Sequence, residues 1–153
     1  MSDLVGKTLK KQYFLSRLAG RGGMADVYYA FDRVRSTHMA VKVLRRDLAA
    51  RRDLRHSFEE EAKILGKLQH PNIVRFYEIK SHEDITFIVM DWVNGGNLRQ
   101  RIDALNRVFT LREVLQILEP VCKALSFSHN MEYFHCDIKP SNKIGRASCR
   151  ERV

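Results

Sequence analysis

The chain of 153 residues carries 27 Lys and Arg against 18 Asp and Glu, a net charge of +9, and 44% hydrophobic residues. Its length suits one domain or a little more, and its apolar content can build a core. Three cysteines without a CxxC spacing and six scattered histidines argue against a disulfide framework or a zinc site, and for a reducing compartment.

The opening residues, Met1-Ser2-Asp3-Leu4-Val5-Gly6-Lys7, have no long apolar segment, so no signal peptide is expected. Residues 13–19, 27–31 and 39–44 predict three short strands, the last an apolar, β-branched run broken by Lys42. Between the first two lies Gly20-Arg21-Gly22-Gly23-Met24-Ala25-Asp26-Val27, whose glycines would let backbone amides approach a phosphate. A strand follows it, not a helix, which argues against a dinucleotide-binding turn. Residues 45–55 hold five Arg against two Asp. Such a run can bind nucleic acid or acidic peptide, but a solvated helix entry with salt-bridged neighbours explains it more simply.

A helix is expected over 53–68, with Phe58, Ala62, Leu65 and Leu68 on one face, broken by His70-Pro71-Asn72. Residues 73–77 lead into a strand pair around Ser81-His82-Glu83-Asp84, with the second strand near 85–90. That run is the longest apolar stretch and far too short to cross a bilayer. Asn94-Gly95-Gly96-Asn97 reads as a hinge-like turn, followed by a short helix over 98–105. Thr110-Leu111-Arg112-Glu113 is a capping box, with Phe109 and Val114 placed as a hydrophobic staple. The helix it opens shows an apolar stripe of Val114, Leu118, Val121 and Leu125 running toward His129.

The densest chemistry lies in Phe134-His135-Cys136-Asp137-Ile138-Lys139-Pro140-Ser141-Asn142. Asp137 can accept the proton of an incoming hydroxyl. Lys139 can neutralise charge on a moving phosphate, and Asn142 can join the oxygen shell of Mg²⁺. Upstream, Lys42 is either an edge-strand lysine in solvent or a phosphate contact held by a carboxylate. Phe58-Glu59-Glu60-Glu61-Ala62 is either an exposed acidic face or the source of that carboxylate. Glu61, beside the packed Ala62, is the acid best placed to point at the sheet.

Taken in order, the Gly-rich loop, Ala40-Val41-Lys42, Glu61, His70-Pro71-Asn72, the hinge and the Asp137 loop resemble the protein kinase family over residues 13–142. The form Gly-Gly-Met-x-x-Val-Tyr is most similar to eukaryotic-like bacterial serine/threonine kinases. The resemblance implies an α+β fold: an N-lobe of a five-stranded antiparallel sheet with one main helix, then the start of a helical C-lobe. The implied divisions are a lead-in over 1–12, the N-lobe over 13–93, and the hinge exit and partial C-lobe over 94–142. It also implies ATP and Mg²⁺ as cofactors and a protein Ser/Thr hydroxyl as acceptor. Nucleotide contacts would come from Ala19, Gly20, Gly22, Gly23, Val27, Ala40, Lys42, Glu61, Met90, Asp91 and Val93. Met90 would be the gatekeeper, and the backbone of Asp91 and Val93 would bond the adenine edge. Asp137 and Lys139 would be catalytic, and Asn142 a metal ligand. No nucleic-acid partner and no membrane contact are expected of this stretch, and a cytoplasmic location is.

Cys136 departs from the pattern, because the family usually has Arg there to answer an activation-loop phosphate. A neutral thiol cannot do so. The family also calls for an apolar strand and Asp-Phe-Gly after Asn142, which the chain lacks. Residues 143–153 are read as a non-native tail, since Ile144 to Val153 resemble the translation of a common DNA-sequencing adapter. The chain alone is therefore expected to be inactive. Alternatives are a small-molecule kinase of the aminoglycoside type and a pseudokinase or nucleotide-binding scaffold. Lys139-Pro140 and His70-Pro71-Asn72 speak against the former. Lys42, Glu61, Asp137 and Asn142 speak against the latter.

Overall fold

The computed structural model describes residues 4–142, 144–145 and 151–152. The β-branched and aromatic runs form an antiparallel sheet in the order β1-β2-β3-β4-β6-β5. Its strands are β1 (Thr8–Leu9), β2 (Tyr13–Arg21), β3 (Ala25–Asp32), β4 (Thr37–Leu44), β5 (Phe76–His82) and β6 (Ile85–Asp91). Five are long, as expected, and the two-residue β1 is added at one edge. The turn between β5 and β6 is narrower than the sequence suggests. Only Glu83 and Asp84 lie outside the strands, with Glu83 at φ 52°.

Side chains alternate across a sheet with period two. Met39, Val41, Val43, Ile85, Phe87 and Val89 therefore share one face, where they join Leu4, Leu9, Tyr13, Leu15 and Tyr28 in a buried cluster. The opposite face carries Ala25, Leu44 and Ile88, and packs against the helix α2 (Arg52–Lys67) through Phe58 and Ala62. The arginine run before α2 contains a short helix, α1 (Arg46–Ala49). Its charges are locally paired: Arg45 with Asp47 and Arg51 with Asp53, each at 2.7 Å, and Arg55 with Glu59 at 3.2 Å. The solvated reading of that run is the one the geometry supports.

The chain divides into two compact units, one of Met1–Lys67 with Arg75–Trp92, the other of Leu68–Val74 with Val93–Val153. The second holds α3 (Leu98–Ala104) and α4 (Leu111–Asn130), both opened by complete capping boxes, Asn97 with Gln100 and Thr110 with Glu113. Arg107 also binds Glu113, at 2.7 Å. Together with the cap it holds the Glu113 carboxyl far below the usual range. The apolar stripe of α4 differs from the expected one. Ile117, Val121, Ala124 and Ser128 are buried, whereas Leu118 is 44% exposed. Val121 is buried as expected and Val114 and Leu125 are half-buried; one residue is a rotation of about 100° on a helix, and Ile117 turns inward where Leu118 was expected. After α4 come a single 3₁₀ turn, Pro140–Asn142, and a short antiparallel pair, β7 (Ile144–Gly145) and β8 (Glu151–Arg152). The rest of the adapter-like tail lies outside the described residues.

Candidate active site

The sheet unit lines up its candidate residues by register. Gly20 opposes Val27, Val27 opposes Lys42, and Lys42 opposes Ile88. Directly opposed residues share a face, so these form one line across the sheet on the side that meets α2. Ala40, opposite Met90, lies one step along the same face. β4 sits between β3 and β6, so Lys42 is not an edge-strand lysine.

Because Leu44 packs on Phe58 and Ala62, Lys42 faces the neighbouring turn of α2. Its Nζ donates to both carboxylate oxygens of Glu61, at 2.5 and 2.8 Å. Both side chains are only partly covered, at 22% and 37% exposure, so the ammonium remains reachable. The Phe58 ring centroid lies 5.8 Å from the same ammonium.

The Gly-rich loop closes by Gly22 N–H donating to the Ala25 carbonyl at 2.9 Å. A Cβ on Gly22 would stand 2.8 Å from that oxygen, so only glycine fits. At Gly20 and Gly23 the space where a Cβ would sit is open to 4 Å. Ala19 is exposed at an irregularity of β2, between the paired positions Leu18 and Gly20. Asp91 ends β6 on the opposite face from Met90, and its N–H donates to the Arg75 carbonyl at 2.9 Å.

The second unit carries the remaining candidate residues. Ser128 ties the end of α4 to the loop beyond it, its hydroxyl donating to the Tyr133 carbonyl. His129 and Phe134 rings lie 4.9 Å apart. In the loop, Asp137 N–H donates to His135 Nδ1 at 3.3 Å, and Lys139 Nζ donates to Asp137 Oδ1 at 2.9 Å. Asp137 and Lys139 are thus brought together on an exposed loop. Cys136 stands at φ 56°, a left-handed conformation unusual for a side chain with a Cβ. Val93, also in this unit, is buried. Asn142 ends the 3₁₀ turn, and its side chain lies outside the described residues.

Sequence reasoning missed Tyr77, whose hydroxyl donates to Asp91 Oδ1 at 2.8 Å. No local signal could have found it, because the contact depends on an irregularity in the pairing of β5 with β6.

Residues 13–146 match the protein kinase domain family. The chain is 38% identical over 139 residues to the serine/threonine-protein kinase PrkC of Bacillus subtilis, covering 91% of this chain and 21% of that protein. It is 39% identical over 135 residues to a probable serine/threonine-protein kinase PknB of Corynebacterium glutamicum, covering 86% of this chain and 21% of the relative. A crystal structure of the Mycobacterium tuberculosis PknI kinase domain superposes with a TM-score of 0.81 at 28% identity, covering all of this chain and 62% of that one. The chain belongs to the protein kinase family. It spans about a fifth of the length of the curated relatives it matches.

Proposed function

We propose that this chain carries the nucleotide-binding lobe and catalytic loop of a eukaryotic-like bacterial protein kinase that phosphorylates Ser and Thr hydroxyls. The observation that carries this reading is the Lys42–Glu61 pair on an interior strand, in line with Gly20 and Val27. A lysine held by a carboxylate beneath open glycine backbone suits the α- and β-phosphates of a nucleotide. ATP with Mg²⁺ would supply the phosphoryl group and neutralise its charge.

Val27, Ala40 and Met90 share the face of Lys42 and would line the adenine pocket, with Ala19, Gly20, Gly22 and Gly23 over the phosphates. The backbone of Asp91 and Val93 would bond the base. Asp137 would orient the acceptor hydroxyl and take its proton, and Lys139, already paired with it, would offset charge on the transferred group. Among the described residues no cluster of three His, Cys, Asp or Glu side chains could hold a metal. Asn142 would join the oxygen shell of an ion carried in by the phosphates.

Lys139 favours Ser/Thr acceptors over Tyr by family pattern, and Cys136 predicts activity without arginine-mediated reading of an activation-loop phosphate. The working divisions are a lead-in over 1–12, an N-lobe over 13–93, a partial C-lobe over 94–142 and a non-native tail over 143–153. No helix among the described residues is long and apolar enough to cross a membrane. A cytoplasmic protein substrate completes the proposal.

The test is Lys42→Met in the full-length protein, assayed for transfer of γ-phosphate from ATP to protein. The variant should melt as the parent does and lose several powers of ten in rate, roughly what removal of such electrostatic stabilisation does. Near-normal turnover would overturn the assignment. The 153-residue chain assayed alone, lacking Asp-Phe-Gly, should transfer nothing.

A further inference from the structure

Tyr77 sits in a β-bulge. Phe76 pairs with Met90 and Glu78 pairs with Val89, so Tyr77 is the extra residue of β5 opposite two consecutive residues of β6. Bulges re-aim side chains and recur beside functional sites. This one directs the Tyr77 hydroxyl onto Asp91 Oδ1 at 2.8 Å, on the face away from Met90. The Asp91 N–H is held separately by the Arg75 carbonyl at 2.9 Å. Asp91 is therefore gripped at backbone and side chain by neighbouring residues of one segment.

The ring of Tyr77 is fixed in turn. The Arg75 guanidinium lies 5.0 Å and that of Arg35 5.1 Å from its centroid. Arg35 is anchored by the buried Asp32, at 2.6 Å. Partial burial and then the Asp91 carboxylate raise the Tyr77 pKa, keeping the hydroxyl a donor at neutral pH.

We propose that Tyr77 is a positioning residue for the nucleotide base: it fixes Asp91, and through Asp91 the backbone edge that selects adenine. The proposal rests on the kinase reading above. Its consequence is selective. A hold on base-reading backbone acts on nucleotide binding and on the choice of base, while the reacting phosphate is held elsewhere, by Lys42 and the glycine loop.

The experiment uses Tyr77→Phe in the full-length protein, which keeps the ring and both cation contacts and removes only the hydroxyl. KM for ATP should rise about three- to tenfold, the range expected when one hydrogen bond is lost. The turnover rate at saturation should hold within about twofold, since uniform binding is what is lost. KM for GTP should stay the same, so the preference for ATP falls by the same factor. In an Asp91→Ala background, adding Tyr77→Phe should change nothing further. An unchanged KM and base preference would overturn the proposal. So would a lowered turnover and melting temperature with base preference intact, or losses that add in the double variant. If the unaltered protein shows no ATP-dependent transfer, the kinase reading itself falls, and this proposal with it.

Discussion

In the sheet unit Tyr13, Leu15, Met39, Val41, Phe58 and Phe87 are almost fully enclosed, whereas in the helical unit Leu111 is 75% and Phe134 69% exposed, and Leu115, Leu118 and Ile138 also face solvent. Both regions are patterned for burial. The sheet meets that pattern on both sides, with α2 on one face and the segment from Leu4 to Leu9 on the other. The helices of the second unit bury one row and leave another uncovered. Apolar periodicity specifies a face, but a core also needs an opposing layer. The candidate site follows the same division. Lys42 and Glu61 are held on two packed elements, while Asp137 and Lys139 hold each other on an open loop.

The contrast can be broken most directly at Phe58. Phe58→Ala should destabilise the sheet unit by about 3–5 kcal/mol, the range for emptying an aromatic core site. It should also slacken the Lys42–Glu61 pair, because Phe58 sets the seat of α2. Denaturant melts followed by fluorescence would measure it, and a loss below about 1 kcal/mol would mean the core is not closed there.

Acid should find the next weakness. Asp32 is buried, and although burial opposes its charge, its bonds to Arg35, Gln12 and the backbone hold its carboxyl below the ordinary 3.8. The unfolded chain therefore takes up this proton at higher pH than the folded one. The stabilisation is full above about pH 4 and is lost as pH falls through that range. Asp32→Asn should lower the melting temperature at pH 7 and flatten its fall below about pH 4. A parallel acid limb in the variant would exclude Asp32 as its source. Glu113, depressed by Arg107 and the Thr110 cap, moves in the same direction.

Smaller effects should separate the helical unit. Thr110→Ala removes a cap and should cost about 1 kcal/mol of α4 stability, read as lost helicity on heating. Cys136→Gly should act with the opposite sign, relieving a left-handed residue by up to about 1 kcal/mol. No gain would show that the neighbouring contacts, not the Cβ, dictate the conformation. Leu118→Gln should change stability by less than about 0.5 kcal/mol, as an exposed site does, while raising solubility. A large loss there would reveal an opposing layer.

The strands that carry Val27, Lys42 and Met90 were legible from residue order, because period two in a strand and 3.6 in a helix are properties of the local chain; the register that lines up Gly20, Val27, Lys42 and Ile88 was not. The same rule put Glu61 beside Ala62 and hence toward the sheet, and the capping boxes needed only residues three apart. The α4 stripe was not legible to the same degree. Two adjacent apolar rows satisfy the helical period, and the packing of the unit, not the period, selected Ile117 over Leu118.

Residue order alone thus pointed to the kinase-like succession of elements and the glycine turn, and singled out Lys42, Glu61 and Asp137 as candidates, since each reading depends on side-chain type and order along the chain. Tertiary structure decided the rest: the interior place of β4, the row of α4 that is buried, the left-handed Cys136 and the grip of Tyr77 on Asp91. The last is the clearest case. A bulge shifts one strand against its partner by a single residue, and the alternation of either strand by itself does not show where along the pair that extra residue falls.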